Sequence, residues 1–205
     1  MNFKDLIKGK KLLIFDFDGT LADTSPLHCE AFTQVLAPLG INCDYRLIAG
    51  MKTLDAIRKC FSLAGIENPS TSLMLSLAKS KQIIVRNLIA SELKPLPGIN
   101  QLIDTVSATH QLAIVSSGSR ATVSLALSRL HFKAQFSILI CADDVTNSKP
   151  SPDGFLYALG LSGFEKSEAL IFEDSHVGFQ AARNAEIDFV DIRTAVTHFT
   201  PRISG

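Results

Sequence analysis

The stretch LLIFDFDGT, residues 12–20, decides the fold of this chain. Its first four residues are large and apolar, which is typical of a strand buried on both faces of a sheet. Two carboxylates, Asp16 and Asp18, follow that strand two positions apart, and Gly19 permits a tight turn after them. A lone Asp after a strand most often begins a turn, but the whole pattern D-x-D-G-T is rare by chance. Such a pair can supply a nucleophile and an acid–base group, or hold a metal ion.

Four later apolar runs predict further buried strands. Their bounds are 112–115, 138–141, 170–172 and 187–192. The helical patterns between these runs cover 121–130, 152–159 and 177–185. Strands that alternate with helices predict a mostly parallel sheet that is covered by helices on both faces. We therefore expect an α/β fold with a Rossmann-like core.

The first strand breaks this alternation, because the long stretch before the second strand contains only helical patterns. The predicted helices of that stretch cover 26–36, 54–63 and 73–89. Ser25 is the N-cap candidate of the first, and residues 70–72 supply candidates for the third. We place an all-helical insert at about residues 23–94, and the sheet-forming core at 1–22 and 95–205.

Composition excludes several classes of protein. The 205 residues include 20 basic and 20 acidic side chains and are 46% hydrophobic, which argues against disorder and against a basic nucleic-acid-binding surface. No apolar stretch approaches the roughly 18 residues of a membrane span, and the first residues, which lack a long apolar stretch, do not predict a signal peptide. The scattered cysteines, Cys29, Cys43, Cys60 and Cys141, predict free thiols in a reducing compartment. We expect a soluble cytoplasmic monomer that binds neither nucleic acid nor membrane.

Three more polar loops follow predicted strands. Ser116-Ser117-Gly118 can hold a phosphate with its hydroxyl and N–H groups, although the pattern alone is more typical of a turn and a helix N-cap. Lys149, in a loop made rigid by Pro150, offers a cation, although a lone lysine is usually a surface charge. Glu173 and Asp174 offer hard oxygen ligands that suit Mg²⁺, with helix capping as the alternative. Because the carboxyl ends of parallel strands share one edge of a sheet, we expect all four loops to meet in one site.

The four motifs together resemble those of a known family. DFDGT at 16–20, SSG at 116–118, KP at 149–150 and EDS at 173–175 occur in the order found in the haloacid dehalogenase superfamily. The resemblance covers essentially the whole chain, and it is greatest to the group with beta-phosphoglucomutase, phosphoglycolate phosphatase and small sugar- or polyol-phosphate phosphatases. In that group the insert is a helical cap. The resemblance implies a Mg²⁺-dependent enzyme that acts on a small phosphorylated metabolite.

The resemblance also implies a role for each motif. Asp16 would be the nucleophile that forms an aspartyl phosphate, and Asp18 would be the general acid and base. Dehalogenases lack a second Asp at that position, which favours phosphate-ester chemistry. Mg²⁺ would be bound by Asp16, Asp174 and the carbonyl of Asp18, with Glu173 as a further ligand or beside one. The groups that would hold the phosphoryl oxygens are Ser116, Ser117, Gly118 and Lys149.

The insert must select the substrate, because the core contacts only the phosphoryl group. The candidate contacts are His28, Lys52 and Lys81, with a packing histidine and surface lysines as the alternatives. We expect a phosphatase of a sugar, polyol or hydroxy-acid phosphate, and a phosphosugar mutase of the beta-phosphoglucomutase type is the alternative. That mutase grips a second phosphate with a cap arginine, and our alignment puts Thr53 at its position. The neighbouring Lys52 is a point charge rather than a bidentate fork, which weakens the mutase interpretation.

Overall fold

The computed structural model describes residues 3–49, 51–132 and 134–199. The chain divides into two compact units, residues 1–23 with 94–205 and residues 24–93. We call the first the core unit and the second the helical unit. Each boundary lies one residue from the position expected from the sequence.

A parallel sheet forms the centre of the core unit. Its strands are β1 Leu12–Phe15, β2 Gln111–Val115, β3 Ile138–Ile140, β4 Ala169–Glu173 and β5 Asp188–Asp191. They are arranged in the order β3-β2-β1-β4-β5, and every neighbouring pair is parallel. This topology confirms the predicted α/β fold. It also puts a switch point between β1 and β4, where an open parallel sheet leaves a crevice for a ligand.

Burial explains why residues 12–15 form the central strand. All four of these side chains are fully buried, as the continuous apolar run predicts. The ring of Phe15 stacks on that of Phe172 in β4, with centroids 4.6 Å apart. Each such buried ring stabilises the fold by about 1.5–3 kcal/mol, so β1 is firmly held beneath the two carboxylates that follow it.

Helices surround this sheet and make up most of the helical unit. In the described residues they are α1 Phe3–Leu6, α2 Ser25–Leu36, α3 Thr53–Leu63, α4 Thr71–Glu92, α5 Ile99–Ser107, α6 Arg120–Leu130, α7 Asp153–Ser162, α8 His176–Ala185 and α9 Ile192–Ala195. Within α2, α3 and α4, the side chains of Phe32, Ile57 and Met74 belong to one apolar cluster. None of the helices in the described part of the chain has the apolar length that crossing a bilayer requires.

Of the N-caps predicted from the sequence, one is found in the structure and another is not. Ser70 is the N-cap of α4, where its Oγ accepts a hydrogen bond from the N–H of Leu73 at 3.3 Å, as predicted. Ser25 is instead the first residue of α2, and Thr24 takes the N-cap position without a side-chain cap. The N-cap prediction for Ser25 is therefore wrong. Pro26 is the physical reason, because proline is favoured within the first turn and the helix begins ahead of it.

The expectation of four free thiols is also wrong. Cys43 and Cys60 form a disulfide within the helical unit, with Cα atoms 5.5 Å apart. Cys29 and Cys141 are free, and burial raises the pKa of the Cys141 thiol to about 12. Cys43 follows α2 and Cys60 lies in α3, so the pair is created by the packing of the unit. The spacing of scattered cysteines does not reveal such a contact.

Candidate active site

The polar loops meet at the carboxyl end of the sheet. Asp16 directly follows β1, Ser116 follows β2 and Asp174 follows β4. Lys149 reaches this edge from the loop between β3 and α7. Its Nζ donates hydrogen bonds to Asp16 Oδ1 at 2.5 Å and to the carbonyl of Val115 at 3.1 Å. The structure thus brings together side chains from distant parts of the sequence.

Lys149 lies between two buried carboxylates. Besides its bond to Asp16, its Nζ donates to Glu173 Oε1 at 2.6 Å, and the lysine side chain is only 9% exposed. Burial alone would lower the pKa of Lys149, but Asp16 and Glu173 raise it, so this ammonium stays charged at neutral pH. Burial raises the pKa of Asp16 well above its usual range, and the charge of Lys149 opposes that shift.

Glu173 is held by hydrogen bonds on both carboxylate oxygens. While Oε1 accepts from Lys149, Oε2 accepts from the N–H groups of Asp174 at 2.9 Å and Ser175 at 3.0 Å and from Ser175 Oγ. Gly178 in α8 allows this close approach, since a Cβ there would collide with the Glu173 carboxylate. Ser175 is also the N-cap of α8, where its Oγ accepts a hydrogen bond from the N–H of Gly178. These contacts favour a place for Glu173 beside a cation rather than in full contact with it.

Asp174 packs against the turn that carries the DFDGT motif. Thr20 Oγ1 donates to Asp174 Oδ1 at 3.3 Å. Gly19 has a φ of +86°, and a Cβ at this position would collide with the Asp174 carboxylate. Burial, helped by the charge of Glu173, raises the pKa of Asp174 to about 6. Thr20 is a site residue that the sequence analysis missed, although its place in the motif was the available signal.

The acidic residues of this edge fit a hard divalent cation. Asp16, Glu173 and Asp174 each offer one oxygen, and these atoms all lie within 4.8 Å of one another. Three carboxylates here lie around the ammonium of Lys149, so a divalent cation would help to balance their charge. Burial is the main cause of the raised pKa values of Asp16 and Asp174, and the charge of Glu173 adds to it. Oxygen donors of this kind suit Mg²⁺.

The loop after β2 contacts the second carboxylate of the DFDGT motif. Ser116 Oγ donates to Asp18 Oδ2 at 3.3 Å and accepts from the N–H of Gly118 at 2.9 Å. The N-cap of α6 is Ser119, whose side chain accepts from the N–H of Thr122. Ser116, Ser117 and Gly118 therefore lie just before a helix N-terminus, a position that favours an anion.

Of the three candidates in the helical unit, His28 and Lys81 lie side by side, whereas Lys52 is exposed. Lys81 in α4 is 3% exposed, its Nζ lies 2.9 Å from His28 Nδ1, and it also lies 4.7 Å from the centre of the Phe32 ring. The burial of Lys81 could be read from its four-residue spacing to Val85 and Ile89, which are buried on the same face of α4. Lys52 is exposed at the N-cap position of α3.

Comparisons with known proteins agree with this arrangement. The model of the haloacid dehalogenase-like hydrolase family matches residues 13–192. Fructose-1-phosphate phosphatase YqaB of Escherichia coli (strain K12) is 33% identical over 184 residues, which cover 88% of this chain and 95% of the relative. The crystal structure of CbbY from Rhodobacter sphaeroides in complex with phosphate is 28% identical, with a TM-score of 0.78 and coverage of 88% of this chain and 84% of CbbY.

A mutase also shares the fold. Beta-phosphoglucomutase from Clostridium difficile superposes with a TM-score of 0.78 over 89% of this chain and 84% of the mutase, at 22% identity. An identity this low supports a common fold and says nothing of a common reaction. The family match, in contrast, spans β1 to the start of α9 and so includes all four motifs. This chain therefore belongs to the haloacid dehalogenase-like hydrolases.

Proposed function

We propose that this chain is a Mg²⁺-dependent phosphatase of a small phosphorylated metabolite, namely a sugar, polyol or hydroxy-acid phosphate. The observation that carries the proposal is the buried Lys149, whose ammonium bridges two carboxylates of the acidic cluster, Asp16 and Glu173. A cation fixed next to a carboxylate nucleophile offsets the repulsion between that carboxylate and an anionic phosphate. The 33% identity to a relative named as a fructose-1-phosphate phosphatase supports the same substrate class.

The proposed reaction has two steps. Asp16 Oδ attacks phosphorus and the bond from phosphorus to the ester oxygen breaks, while Asp18 donates a proton to that oxygen. Asp18 then takes a proton from a water molecule, which attacks the aspartyl phosphate and releases inorganic phosphate. Asp18 lies within the site, where its Oδ2 accepts a hydrogen bond from Ser116 Oγ.

The remaining residues bind the anionic groups. We propose that Ser116, Ser117, Gly118 and Lys149 hold the phosphoryl oxygens. Mg²⁺ would be held by Asp16, Asp174 and the Asp18 carbonyl, with Glu173 next to it, and would supply positive charge that stabilises the transition state. We also propose that the helical unit selects the substrate through His28, Lys52 and Lys81.

A phosphate-release screen tests this function. The purified chain is incubated with Mg²⁺ and a panel of sugar phosphates, polyol phosphates, phosphoglycolate and nucleotides. Release from one small group of metabolites is the expected result and would name the substrate class. No release from any compound would contradict the proposal. If beta-glucose 1-phosphate is then converted to glucose 6-phosphate when a bisphosphate is added, the enzyme is a mutase.

Asp18→Asn is expected to lower steady-state turnover by about 10²- to 10⁴-fold, because an amide can neither donate this proton nor accept it from water. With 4-nitrophenyl phosphate the leaving group departs without a proton, so Asp16 can still be phosphorylated. We therefore expect a stoichiometric burst of 4-nitrophenol followed by very slow release of phosphate, measured by stopped-flow absorbance. A steady rate equal to that of the unchanged chain would show that another residue is the acid–base group.

Lys52→Ala is expected to lower kcat/KM for the best sugar phosphate about tenfold and to leave hydrolysis of 4-nitrophenyl phosphate unchanged. A specificity contact is lost on the natural substrate, whereas the aryl phosphate never makes that contact. Lys59→Ala is the matched control, because Lys59 is also an exposed lysine of α3. Equal losses on the two substrates would show that Lys52 serves the fold or the chemical step.

A further inference from the structure

The loop that carries Lys149 is closed by a single carboxylate. Asp153, the first residue of α7, accepts a hydrogen bond from Ser151 Oγ on Oδ1 at 2.5 Å. Its other oxygen, Oδ2, accepts from Asn147 Nδ2 at 3.0 Å. The two donors stand two residues before and two residues after Lys149. One side chain therefore joins both ends of the loop around the lysine.

Two further hydrogen bonds fix the same loop. Asn184 of α8 donates through Nδ2 to the carbonyl of Pro150 at 2.9 Å. The N–H of Ser151 donates to the carbonyl of Ser148 at 3.0 Å. The hydrogen bonds from Ser151 and Asn147 hold the pKa of Asp153 below its usual range, so its carboxylate is ionised at neutral pH. A negative charge in the first turn of α7 is also favoured by the helix dipole.

The position of this loop matters because a lysine side chain is long and flexible. Lys149 Nζ must meet Asp16, Glu173 and the carbonyl of Val115 at the same time. It also lies 5.0 Å from the centre of the Phe155 ring. A point charge at the end of four rotatable bonds is placed accurately only if its backbone anchor is fixed. Small displacements of such a group are costly in an active site.

We infer that Asp153 is a positioning residue, which fixes the loop of residues 147–153 and thereby the point at which Lys149 Nζ meets Asp16. Its effect on phosphoryl transfer rests on the proposed function. The effect of Asp153 on the placement of Lys149 does not rest on the proposed function, because the ion pair between Lys149 and Asp16 is present in the structure whatever reaction the protein catalyses.

The test combines a chemical and a kinetic readout on Asp153→Ala. Lys149 is acetylated with acetic acid N-hydroxysuccinimide ester, and the rate is followed by peptide mass spectrometry. This rate reports the placement of the lysine and does not depend on whether the protein is catalytically active. We expect this rate to rise several-fold and kcat/KM for phosphate release to fall about 10- to 100-fold. Asp188→Ala is the matched control, since Asp188 is a carboxylate of the core unit bonded to Lys10 at 2.6 Å. It should change neither quantity.

A double-mutant cycle shows whether Asp153 acts through Lys149. In a Lys149→Ala background, Asp153→Ala should cause almost no further loss, whereas independent effects would multiply. Asp153→Asn, which keeps an acceptor for Ser151, should recover part of the activity. If Asp153→Ala does not fold, Ser151→Ala and Asn147→Ala each remove one of the two hydrogen bonds and keep the Asp153 carboxylate in the first turn of α7.

The outcomes separate this inference from the proposed function. An unchanged modification rate of Lys149 in a folded Asp153→Ala protein would overturn the positioning role, whatever the activity. Multiplicative losses in the cycle would also overturn it. If the unchanged chain releases no phosphate from any ester, the proposed function fails, and the lysine modification rates still decide whether Asp153 places Lys149.

Discussion

Asp16→Asn is expected to reduce phosphate release by at least about 10⁴-fold, the scale of loss seen when a catalytic nucleophile is removed. The amide has the shape of the carboxylate but cannot form an acyl phosphate with phosphorus. The fold should persist, because the Lys149 ammonium keeps its bonds to Glu173 and the Val115 carbonyl. Burial already disfavours a charge at residue 16, so the neutral amide is well tolerated there.

Two measurements check this prediction. The first is kcat for the best substrate of the screen, with Asp188→Asn as a control that makes the same chemical change on the surface of the core unit. The second is acid quenching during turnover, after which the peptide that contains residue 16 should carry a phosphoryl group in the unchanged chain but not in the variant. A variant that keeps more than a small residual rate would remove Asp16 as the nucleophile. A phosphorylated peptide elsewhere would identify its replacement.

Much of the core unit could be predicted because its signals are local. Residues 12–15 form an unbroken apolar run, and a run of that kind is typical of a strand with neighbours on both sides. The helix pattern at 121–130 is found as α6, which begins at Arg120. The carboxyl ends of parallel strands lie at the same edge of a sheet. The predicted strands were therefore sufficient to predict that Asp16, Ser116 and Asp174 lie close together.

The features that sequence analysis missed depend on contacts between distant elements. The disulfide between Cys43 and Cys60 requires α3 to pack on the segment after α2, and no local pattern encodes that packing. The contact between Lys81 and His28 likewise depends on how α2 meets α4. Each of these contacts joins two residues that have no distinctive pattern around them in the sequence. Such pairings become visible only when the elements are placed in space.

The same limit applies within the candidate active site. The motifs identify which residues belong there, but not how their charges are shared. Glu173 and Asp174 are adjacent carboxylates in the sequence, yet one is held by hydrogen bonds to Lys149 and Ser175, and the other faces the Gly19 turn. We therefore expect different roles for these two adjacent acids.

Removal of Mg²⁺ is expected to abolish turnover, and the Mg²⁺ concentration that gives half-maximal activity should depend on pH through Asp174. The pKa of this carboxyl is raised to about 6 in the metal-free protein, so below that pH a proton must leave before the cation can be bound. The half-activating concentration should therefore fall as pH rises through about 6, and the contribution of Asp174 to this dependence should end above that pH. At higher pH the Asp174 carboxylate is already ionised, so its proton no longer competes with the cation.

Asp174→Asn tests this prediction directly. The substitution should raise the half-activating Mg²⁺ concentration by about 10- to 100-fold or more. It should also remove the pH dependence near 6, because asparagine has no carboxyl group that titrates there. Titrations of Mg²⁺ at pH 5, 6 and 7, on protein first treated with a chelator, measure both effects, and Asp188→Asn again controls for the loss of a carboxylate. Activity lost in the chelator must return when Mg²⁺ is added back, because such a recovery excludes unfolding as the cause of the loss. Full activity in the chelator, or equal Mg²⁺ requirements in the variant and the unchanged chain, would remove Asp174 from the metal site. The acidic cluster would then serve only to hold Lys149 and the start of α8.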